Sequence, residues 1–143
     1  MMTMRKSCGV IPFFVEGGEV KVLLLEHVSG HWGFPKGGQE RGEADFETAT
    51  RELQEEVGIT DFKVLEDFRL RQRYEFEAGG KTVQKEVIYF LGRVPSKDVT
   101  VQASELRSAQ WLGVEEARRR LSHPEIIEIL EAAVGQFNKW LGS

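Results

Sequence analysis

The sequence predicts a mixed α/β fold, an α+β or α/β/α sandwich in which helices cover a mixed central sheet. Apolar stretches with a strand-like pattern alternate along the chain with stretches whose apolar residues recur at helical spacing. Strands flanked by helices bury both faces of a sheet when they stack in layers. The chain has 143 residues, the usual size of one domain, so we expect a single domain over residues 1–143.

Composition and charge exclude several classes of protein. With 41% hydrophobic and 29% charged residues, the chain falls in the range of folded globular domains and outside disordered or fibrous classes. No apolar run reaches the roughly 18 residues of a membrane span, so we expect no membrane association. The net charge of −4 provides no general attraction for nucleic acids. The single cysteine, Cys8, cannot form an intrachain disulfide, and we expect a buried thiol in a cytoplasmic protein.

The first elements along the chain are a pair of strands. Apolar runs over Ser7–Val15 and Val20–Leu25 flank Glu16–Gly18, a pattern typical of strand, turn and strand. The segment His27–Arg41 is rich in glycine and lacks a period, so it predicts a loop. The chain is therefore expected to leave the strands through this loop before its first helix.

A helix is predicted over Ala44–Val57. Its core-facing residues recur at helical spacing, and they are Phe46, Ala49, Leu53 and Val57. Gly58 follows at the position where a left-handed C-cap residue belongs, so the helix is expected to end there.

The second half of the chain predicts further strands and two helices. The strands are expected over Phe62–Phe76, Val83–Val94 and Ala109–Leu112, and the helices over Glu115–Leu121 and Glu125–Leu141. Within the first of these strands, alternate residues place Arg69, Arg71 and Arg73 on one face. We interpret these three residues, the arginine row, as a solvated face of the sheet rather than a substrate groove.

Three glutamates lie together on the predicted helix. Glu52, Glu55 and Glu56 fall within an arc of roughly 100° beside the apolar stripe. Carboxylates so close repel one another unless a cation neutralises them, and hard ions such as Mg²⁺ or Mn²⁺ prefer oxygen ligands. Arg51 lies near Glu55 on the helix surface and could orient a carboxylate. The alternative interpretation is a solvated acidic helix face.

The longer string around these glutamates favours the metal site. Gly37, Glu43 and the run Arg51–Ile59 match the pattern G-x5-E-x7-R-E-U-x-E-E-x-G-U, where U is a bulky aliphatic residue. A chance match in a chain of this size is on the order of one in ten million. This pattern is the signature of the Nudix hydrolases, and the chain resembles that family without a departure from the pattern.

The resemblance implies a Nudix-type α/β/α sandwich whose loop–helix–loop binds divalent metal and hydrolyses a nucleoside diphosphate linked to another group. It implies two or more Mg²⁺ ions, for which Mn²⁺ could substitute. The implied metal ligands are Glu52, Glu55, Glu56, Glu105 and the backbone carbonyl of Lys36. The implied catalytic residues are Arg51, Glu52, Glu56 and Glu105. Either Glu52 or Glu105 is the general base.

Segments outside the string resemble the asymmetrical diadenosine tetraphosphate hydrolases within the family. These segments are Ser7–Ile11, His31–Gly37, Lys85–Phe90 and Trp111–Gly113. The resemblance implies that the polyphosphate is contacted by His31, Lys36, Tyr74 and Lys85. It also implies that the rings of Tyr89 and Phe137 clasp an adenine, which requires both rings to be partly exposed and to face each other. Gly38 departs from some relatives, which carry histidine at this position.

We therefore expect hydrolysis of dinucleoside polyphosphates, with diadenosine tetraphosphate split into ATP and AMP by in-line attack of water on phosphorus. A pyrophosphohydrolase of triphosphorylated RNA 5′ ends is one alternative, and it would use the arginine row to contact nucleic acid. A catalytically silent nucleotide-binding module is another, although all motif carboxylates are present. The expected partner is a small nucleotide, and we expect a monomer.

Overall fold

The structure, a computed structural model, describes residues 2–143, which form a mixed sheet of eight strands and three helices. The strands are β1 (Met2–Glu16), β2 (Glu19–His27), β3 (Trp32–Gly33), β4 (Lys36–Gly38), β5 (Lys63–Val64), β6 (Leu70–Ala78), β7 (Lys81–Arg93) and β8 (Leu106–Gly113). The helices are α1 (Asp45–Val57), α2 (Val114–Arg120) and α3 (Pro124–Leu141). Strands β3, β2, β1, β7 and β5 are neighbours in that order, while β4 pairs with β1, β6 with β7 and β8 with β2. The β1–β7 pair is parallel and the other pairs are antiparallel.

Helices cover both faces of this sheet. Successive residues along each strand point to opposite sides, so each strand contributes to a core on either face. In β2, Leu23 and Leu25 belong to the core beneath α1, whereas Val22 and Leu24 belong to the core beneath α2 and α3. All four side chains are fully buried. The predicted α/β/α sandwich with a mixed sheet is therefore confirmed.

Helix α1 follows the predicted helix closely. Most of its predicted core residues are fully buried, namely Ala49, Leu53 and Val57. Phe46 is 39% exposed, because it lies in the first turn and meets the ring of Phe90 edge-on, which leaves much of its own ring open. The helix ends at Gly58, whose φ of 74° is the left-handed conformation expected there.

The segment predicted as a loop contains two short strands, β3 and β4. Strand β4 pairs with β1, with Gly9 opposite Lys36 and Cys8 opposite Gly37. Gly9 makes this approach possible, because a Cβ there would lie 2.1 Å from the carbonyl oxygen of Pro35. Gly9 thus allows the two backbone segments to pack closely.

The single long strand predicted over Phe62–Phe76 is wrong, since the chain forms β5, a turn and then β6. Asp67 adopts a left-handed φ of 59° in this turn, which interrupts the extended backbone. Beyond the turn, β6 pairs with β7 and brings Tyr74 opposite Lys85. Two residues expected to contact polyphosphate are thereby neighbours.

The expectation of a buried thiol agrees with the structure. Cys8 is fully buried, and burial raises the pKa of its thiol to about 11. A thiol with so high a pKa stays protonated at neutral pH, so Cys8 is a packing group. Among residues 2–143, no helix combines the length and apolar character needed to cross a membrane.

Candidate active site

A close contact between Gly37 and Glu52 joins strand β4 to helix α1. A Cβ at Gly37 would lie 2.0 Å from the carboxyl carbon of Glu52 and 2.1 and 2.3 Å from its two oxygens. A side chain here would force the Glu52 carboxylate to move. The glycine of the sequence pattern therefore lets a helix carboxylate rest against the β4 backbone.

Glu56 is the most buried carboxylate of the helix. Its side chain is held against β4, because the backbone N–H of Lys36 donates to its Oε1 at 3.0 Å. Burial, together with the charge of Glu52, raises the pKa of Glu56 to about 8. A carboxyl with this pKa is mostly protonated at neutral pH unless a bound cation stabilises its negative charge.

Arg51 binds the carboxylates on either side of it. Its Nε and Nη2 donate to the two oxygens of Glu43 at 2.7 and 3.0 Å, and Nη2 also donates to the carbonyl of Gly38 at 2.9 Å. Its Nη1 donates to Glu52 at 2.9 Å and to Glu55 at 3.2 Å. The hydrogen bonds from Arg51 lower the pKa of Glu43 to about 2. Arg51 thus connects the segment before α1 to the acidic face of the helix.

Glu105 approaches this acidic face from the segment before β8. Its side chain is exposed, and its backbone carbonyl accepts a hydrogen bond from the amide of Val28 at 2.8 Å. The charge of Glu105 contributes to the raised pKa of both Glu52 and Glu56. The fourth predicted carboxylate therefore belongs to the same electrostatic cluster.

Hard oxygen donors are concentrated where β4 meets α1. Within residues 2–143, no three carboxylate, imidazole or thiol groups stand close enough together to form a ready-made ion site. Two of the carboxylates instead contact Arg51, whose Nη1 lies 2.9 Å from Glu52 and 3.2 Å from Glu55. Burial raises the pKa of Glu52 as well as that of Glu56, because water is kept from stabilising their charge. Carboxylates in this condition fit a divalent cation such as Mg²⁺.

Two lysines place positive charge beside the carboxylates. Burial lowers the pKa of Lys36, and the neighbouring Lys85 lowers it further, while Glu56 acts in the opposite direction. Tyr74 lies opposite Lys85 in the β6–β7 pair and is 40% exposed. Lysine ammonium groups bind phosphate as point charges, so an anionic chain could lie across this surface.

A cavity of about 400 Å³, lined in part by Lys36, opens on the face of the sheet that α3 covers. Its lining includes the predicted residues His31, Lys36, Tyr74 and Tyr89. The ring of His31 stacks on that of His27 with centroids 4.1 Å apart, and Ser29 Oγ lies 2.7 Å from its Nδ1. Burial lowers the pKa of His27, and the charge of His31 adds to this effect.

The predicted aromatic clasp is not open in the structure, because Tyr89 and Phe137 are both 0% exposed. The ring of Phe137 stacks on Phe13 with centroids 4.2 Å apart and packs edge-on against Trp140. The expectation of two partly exposed rings is therefore wrong for this structure. Phe137 belongs to the core between the sheet and α3, whereas Tyr89 borders the cavity.

Sequence reasoning missed several residues of the cavity. They are His27, Trp32, Gln72, His123 and Glu125. Trp32 lies in the segment His31–Gly37 that carries the resemblance, but the resemblance implies no role for it. The others come from β2, β6 and the beginning of α3, which meet only in the folded sheet. His123 could have been noticed as the residue before Pro124, where an N-cap is expected.

Each member of the arginine row is paired with a carboxylate. Arg69 lies 3.1 Å from Asp45, and Arg71 and Arg73 lie 3.3 and 2.7 Å from Glu86. The side chains stay largely exposed while their charge is balanced. These contacts agree with a solvated face of the sheet.

Acidic side chains of one helix thus lie beside lysines of β4 and β7 at the edge of a sandwich. Such a site suits an enzyme that acts on phosphate compounds with divalent metal ions. Residues 3–132 match the family model described as NUDIX domain, and the chain belongs to this family. The prediction of a Nudix hydrolase is confirmed, and members of the family generally need divalent metal ions.

Similar proteins extend along most of the chain. The rat (Rattus norvegicus) Bis(5'-nucleosyl)-tetraphosphatase (asymmetrical) is 40% identical over 123 residues, which cover 78% of this chain and 81% of the relative. The pig (Sus scrofa) protein of the same name is 36% identical over 137 residues, which cover 88% and 90%. The solved structure "Crystal Structure of a C. elegans Ap4A Hydrolase Binary Complex" has a TM-score of 0.77 and 27% identity, over 96% of this chain and 98% of that chain.

Proposed function

We propose that this enzyme hydrolyses dinucleoside polyphosphates, with diadenosine tetraphosphate as the leading substrate and ATP and AMP as products. The names of the rat and pig relatives support this substrate class. The observation that carries the proposal is the position of Lys36, whose backbone holds Glu56 while its side chain approaches Lys85. A polyphosphate needs positive charge along its length, and here lysines lie next to a set of metal-type ligands.

We propose that the enzyme uses two or more Mg²⁺ ions, with Mn²⁺ as a substitute, because the donors are hard oxygens. The ligands would be Glu52, Glu55, Glu56, Glu105 and the backbone carbonyl of Lys36. When bound, such ions neutralise phosphate charge and lower the pKa of a bound water. The missing side chain of Gly37 supports this ligand set, since it keeps the Glu52 carboxylate against the β4 backbone.

The side chains around the cavity would bind and orient the substrate. The polyphosphate contacts would come from His31, Lys36, Tyr74 and Lys85, whose charges and donors stabilise the phosphate oxygens. Arg51 would be a positioning residue, because its hydrogen bonds fix the orientation of Glu52 and Glu55.

Glu105 is our preferred general base for the attacking water. Its side chain is exposed, whereas Glu52 accepts a hydrogen bond from Arg51 at 2.9 Å and rests against Gly37. As water attacks phosphorus in line, Glu105 would take its proton. A loss of about 10²- to 10⁴-fold in kcat for Glu105→Gln, with a flattened acidic limb of the pH–rate profile, is the result expected of a general base.

The remaining alternatives are not favoured by the contacts. An RNA pyrophosphohydrolase would need the arginine row for nucleic acid, and that row is paired with Asp45 and Glu86. A silent binding module would not need the carboxylates and lysines that lie together here. A single domain, a monomer and a cytoplasmic location stay predictions, and light scattering after size-exclusion chromatography tests the monomer.

A substrate panel tests the proposed function. The enzyme is incubated with Mg²⁺ and, separately, with dinucleoside polyphosphates of different length, nucleoside triphosphates, diphosphoinositols and triphosphorylated RNA, and products are identified by chromatography. We expect the fastest turnover with dinucleoside polyphosphates. Preferential cleavage of RNA ends would support the first alternative, and no turnover of any compound would support the binding module.

A further inference from the structure

Ser29 lies against the imidazole of His31 in the turn between β2 and β3. The Oγ of Ser29 is 2.7 Å from Nδ1 of His31. His31 is exposed and lines the cavity of about 400 Å³, so a ligand that enters from solvent can reach its ring. Ser29 belongs to none of the segments that carry the resemblance. Its contact with His31 therefore needs an explanation of its own.

The backbone of this turn keeps the contact in place. The amide of His27 donates to the carbonyl of His31 at 2.9 Å, which closes the turn. The amide of Val28 donates to the carbonyl of Glu105 at 2.8 Å, which fixes the turn to the segment before β8. The hydroxyl of Ser29 is therefore presented to the ring of His31 by a backbone that is held at both of these points.

The ring of His27 restrains the plane of the His31 ring. The two rings stack with centroids 4.1 Å apart and an angle of 12° between their planes. Burial lowers the pKa of His27, and the neighbouring His31 and Lys36 act in the same direction, so His27 is a neutral ring at neutral pH. Stacking restrains the plane of a ring but does not decide which of its nitrogens carries the proton. The hydrogen bond at Nδ1 of His31 decides this.

A phosphate oxygen accepts hydrogen bonds, so a histidine can bind it only through an N–H group. A neutral imidazole carries its proton on one nitrogen and accepts at the other. If the hydroxyl of Ser29 donates to Nδ1 of His31, the proton of the ring is on Nε2. The opposite arrangement, in which Nδ1 donates to Ser29, makes Nε2 an acceptor that a phosphate oxygen would repel.

We propose that Ser29 is a positioning residue, which donates to Nδ1 of His31 and thereby directs an Nε2–H group of His31 to the phosphate chain of the substrate. The inference rests on the proposed function, because it takes His31 as a contact of the polyphosphate. It requires only that the substrate carry phosphate, and so it does not depend on a particular dinucleotide. Ser29 acts on the substrate through His31.

A double-mutant cycle tests whether Ser29 acts through His31. Calorimetric titration with inorganic pyrophosphate in the presence of Mg²⁺ measures phosphate binding independently of turnover. We expect Ser29→Ala to raise the Kd for pyrophosphate about two- to tenfold, the range of one neutral hydrogen bond. In a His31→Ala background the same substitution should have no further effect, because the ring that Ser29 orients is gone. Ser29→Thr keeps a hydroxyl and should bind pyrophosphate as the wild type does.

The tautomer of His31 provides a second measurement, which a merely structural role of Ser29 would not change. The chemical shifts of the ring nitrogens in ¹⁵N-labelled histidine at pH 8 distinguish the two neutral tautomers, and the chain has only 3 histidines to assign. We expect the Nε2–H form of His31 in the wild type and a mixture of the two forms in Ser29→Ala.

Ser96→Ala is the matched control, since Ser96 lies in another exposed loop and its hydroxyl accepts from the amide of Asp98 at 3.0 Å. It should leave both measurements unchanged. Three results of the titrations would overturn the inference: no pyrophosphate binding by the wild type, wild-type binding by Ser29→Ala, or an equal loss in the His31→Ala background. The Nδ1–H form of His31 in the wild type would also overturn it. A substrate panel that favours another phosphate compound contradicts the proposed function alone.

Discussion

Burial distinguishes Glu56 from the carboxylates of a solvated helix face. Glu56 is 5% exposed, and its burial raises its pKa to about 8. A carboxylate in contact with water keeps an ordinary pKa, because water stabilises its charge. The sequence groups Glu52, Glu55 and Glu56 on one arc, but only the fold shows that Glu56 is buried and Glu55 exposed. Helical spacing predicts the side of the helix on which a side chain lies, whereas the burial of Glu56 depends on the neighbouring strand β4.

Glu56→Gln keeps the size of the side chain and removes its formal charge. We expect kcat to fall by about hundredfold or more, because a metal site worth several kcal/mol loses an anionic ligand. Steady-state kinetics at saturating Mg²⁺ measures this loss. Glu47→Gln is the control, since glutamine can keep the acceptor for the Ala44 amide at the start of the helix. A near wild-type rate for Glu56→Gln would contradict the assignment of Glu56 to the metal site.

Gly37→Ala tests the close approach of β4 to α1. The new Cβ would lie 2.0 Å from the carboxyl carbon of Glu52, so the carboxylate must move. We expect kcat/KM to fall by about hundredfold, the effect of a misplacement of about 1 Å. Gly135→Ala adds the same methyl group to an exposed position of α3, where no atom lies within 4 Å, and should leave the kinetics unchanged. Wild-type kinetics for Gly37→Ala would show that Glu52 does not need this position.

At the scale of elements, Arg51 connects α1 to the segment that precedes it. The planar guanidinium binds both oxygens of Glu43 and the carbonyl of Gly38 at the same time. Lysine keeps the charge but cannot form this planar pair. We expect Arg51→Lys to lower kcat/KM about ten- to hundredfold and to speed amide hydrogen exchange over residues 38–44. Kinetics and hydrogen-exchange mass spectrometry measure the two effects.

Arg118→Lys is the control for this substitution. Arg118 pairs with Glu115 and Glu131, away from the site, so its replacement should leave both measurements unchanged. If Arg51→Lys exchanged at the wild-type rate over residues 38–44, Arg51 would not be holding this segment.

The sequence predicts some elements far better than others. Helix α1 agrees with its prediction to within one residue, because apolar spacing and Gly58 both mark it. Strands β3 and β4 have two and three residues, too few to show a period. The break between β5 and β6 depends on a left-handed Asp67, which is uncommon for a residue other than glycine.

At the scale of the whole molecule, the two aromatic residues show what a linear pattern leaves open. Phe137 lies at helical spacing with Leu130 and Ala133, which indicates the core, and the structure stacks its ring on Phe13. Tyr89 and Lys36 line the same cavity because Gly9 pairs with both, through strands far apart in the sequence. A resemblance identifies the residues at the family's binding positions, whereas the exposure of their rings depends on long-range packing.

The stability of the metal-free protein should depend on pH through Glu56. The pKa of this residue rises from 4.5 to about 8 on folding, so the folded chain binds the proton more tightly than the unfolded chain. Its contribution is therefore fully present below pH 4.5 and is lost as the pH rises towards about 8. Thermal melts in a chelator measure this effect. We expect the melting temperature of the wild type to fall more between pH 5 and pH 8 than that of Glu56→Gln.

The comparison with Glu56→Gln isolates this effect. His27 acts in the opposite direction, because its lowered pKa makes the folded chain more stable as the pH rises through 6.5. Mg²⁺ should remove most of the loss at pH 8 by binding only the folded chain. If the melting temperatures of wild type and Glu56→Gln changed with pH in the same way in a chelator, the raised pKa of Glu56 would be contradicted.

Product analysis with diadenosine tetraphosphate is the most direct measurement of the proposed activity. The enzyme is incubated with this compound and Mg²⁺, and the nucleotides are separated by chromatography over the time course. We predict ATP and AMP in equal amounts from the earliest time points, and no products when a chelator removes the metal. Two molecules of ADP, or an uncleaved substrate in the presence of Mg²⁺, would contradict the account.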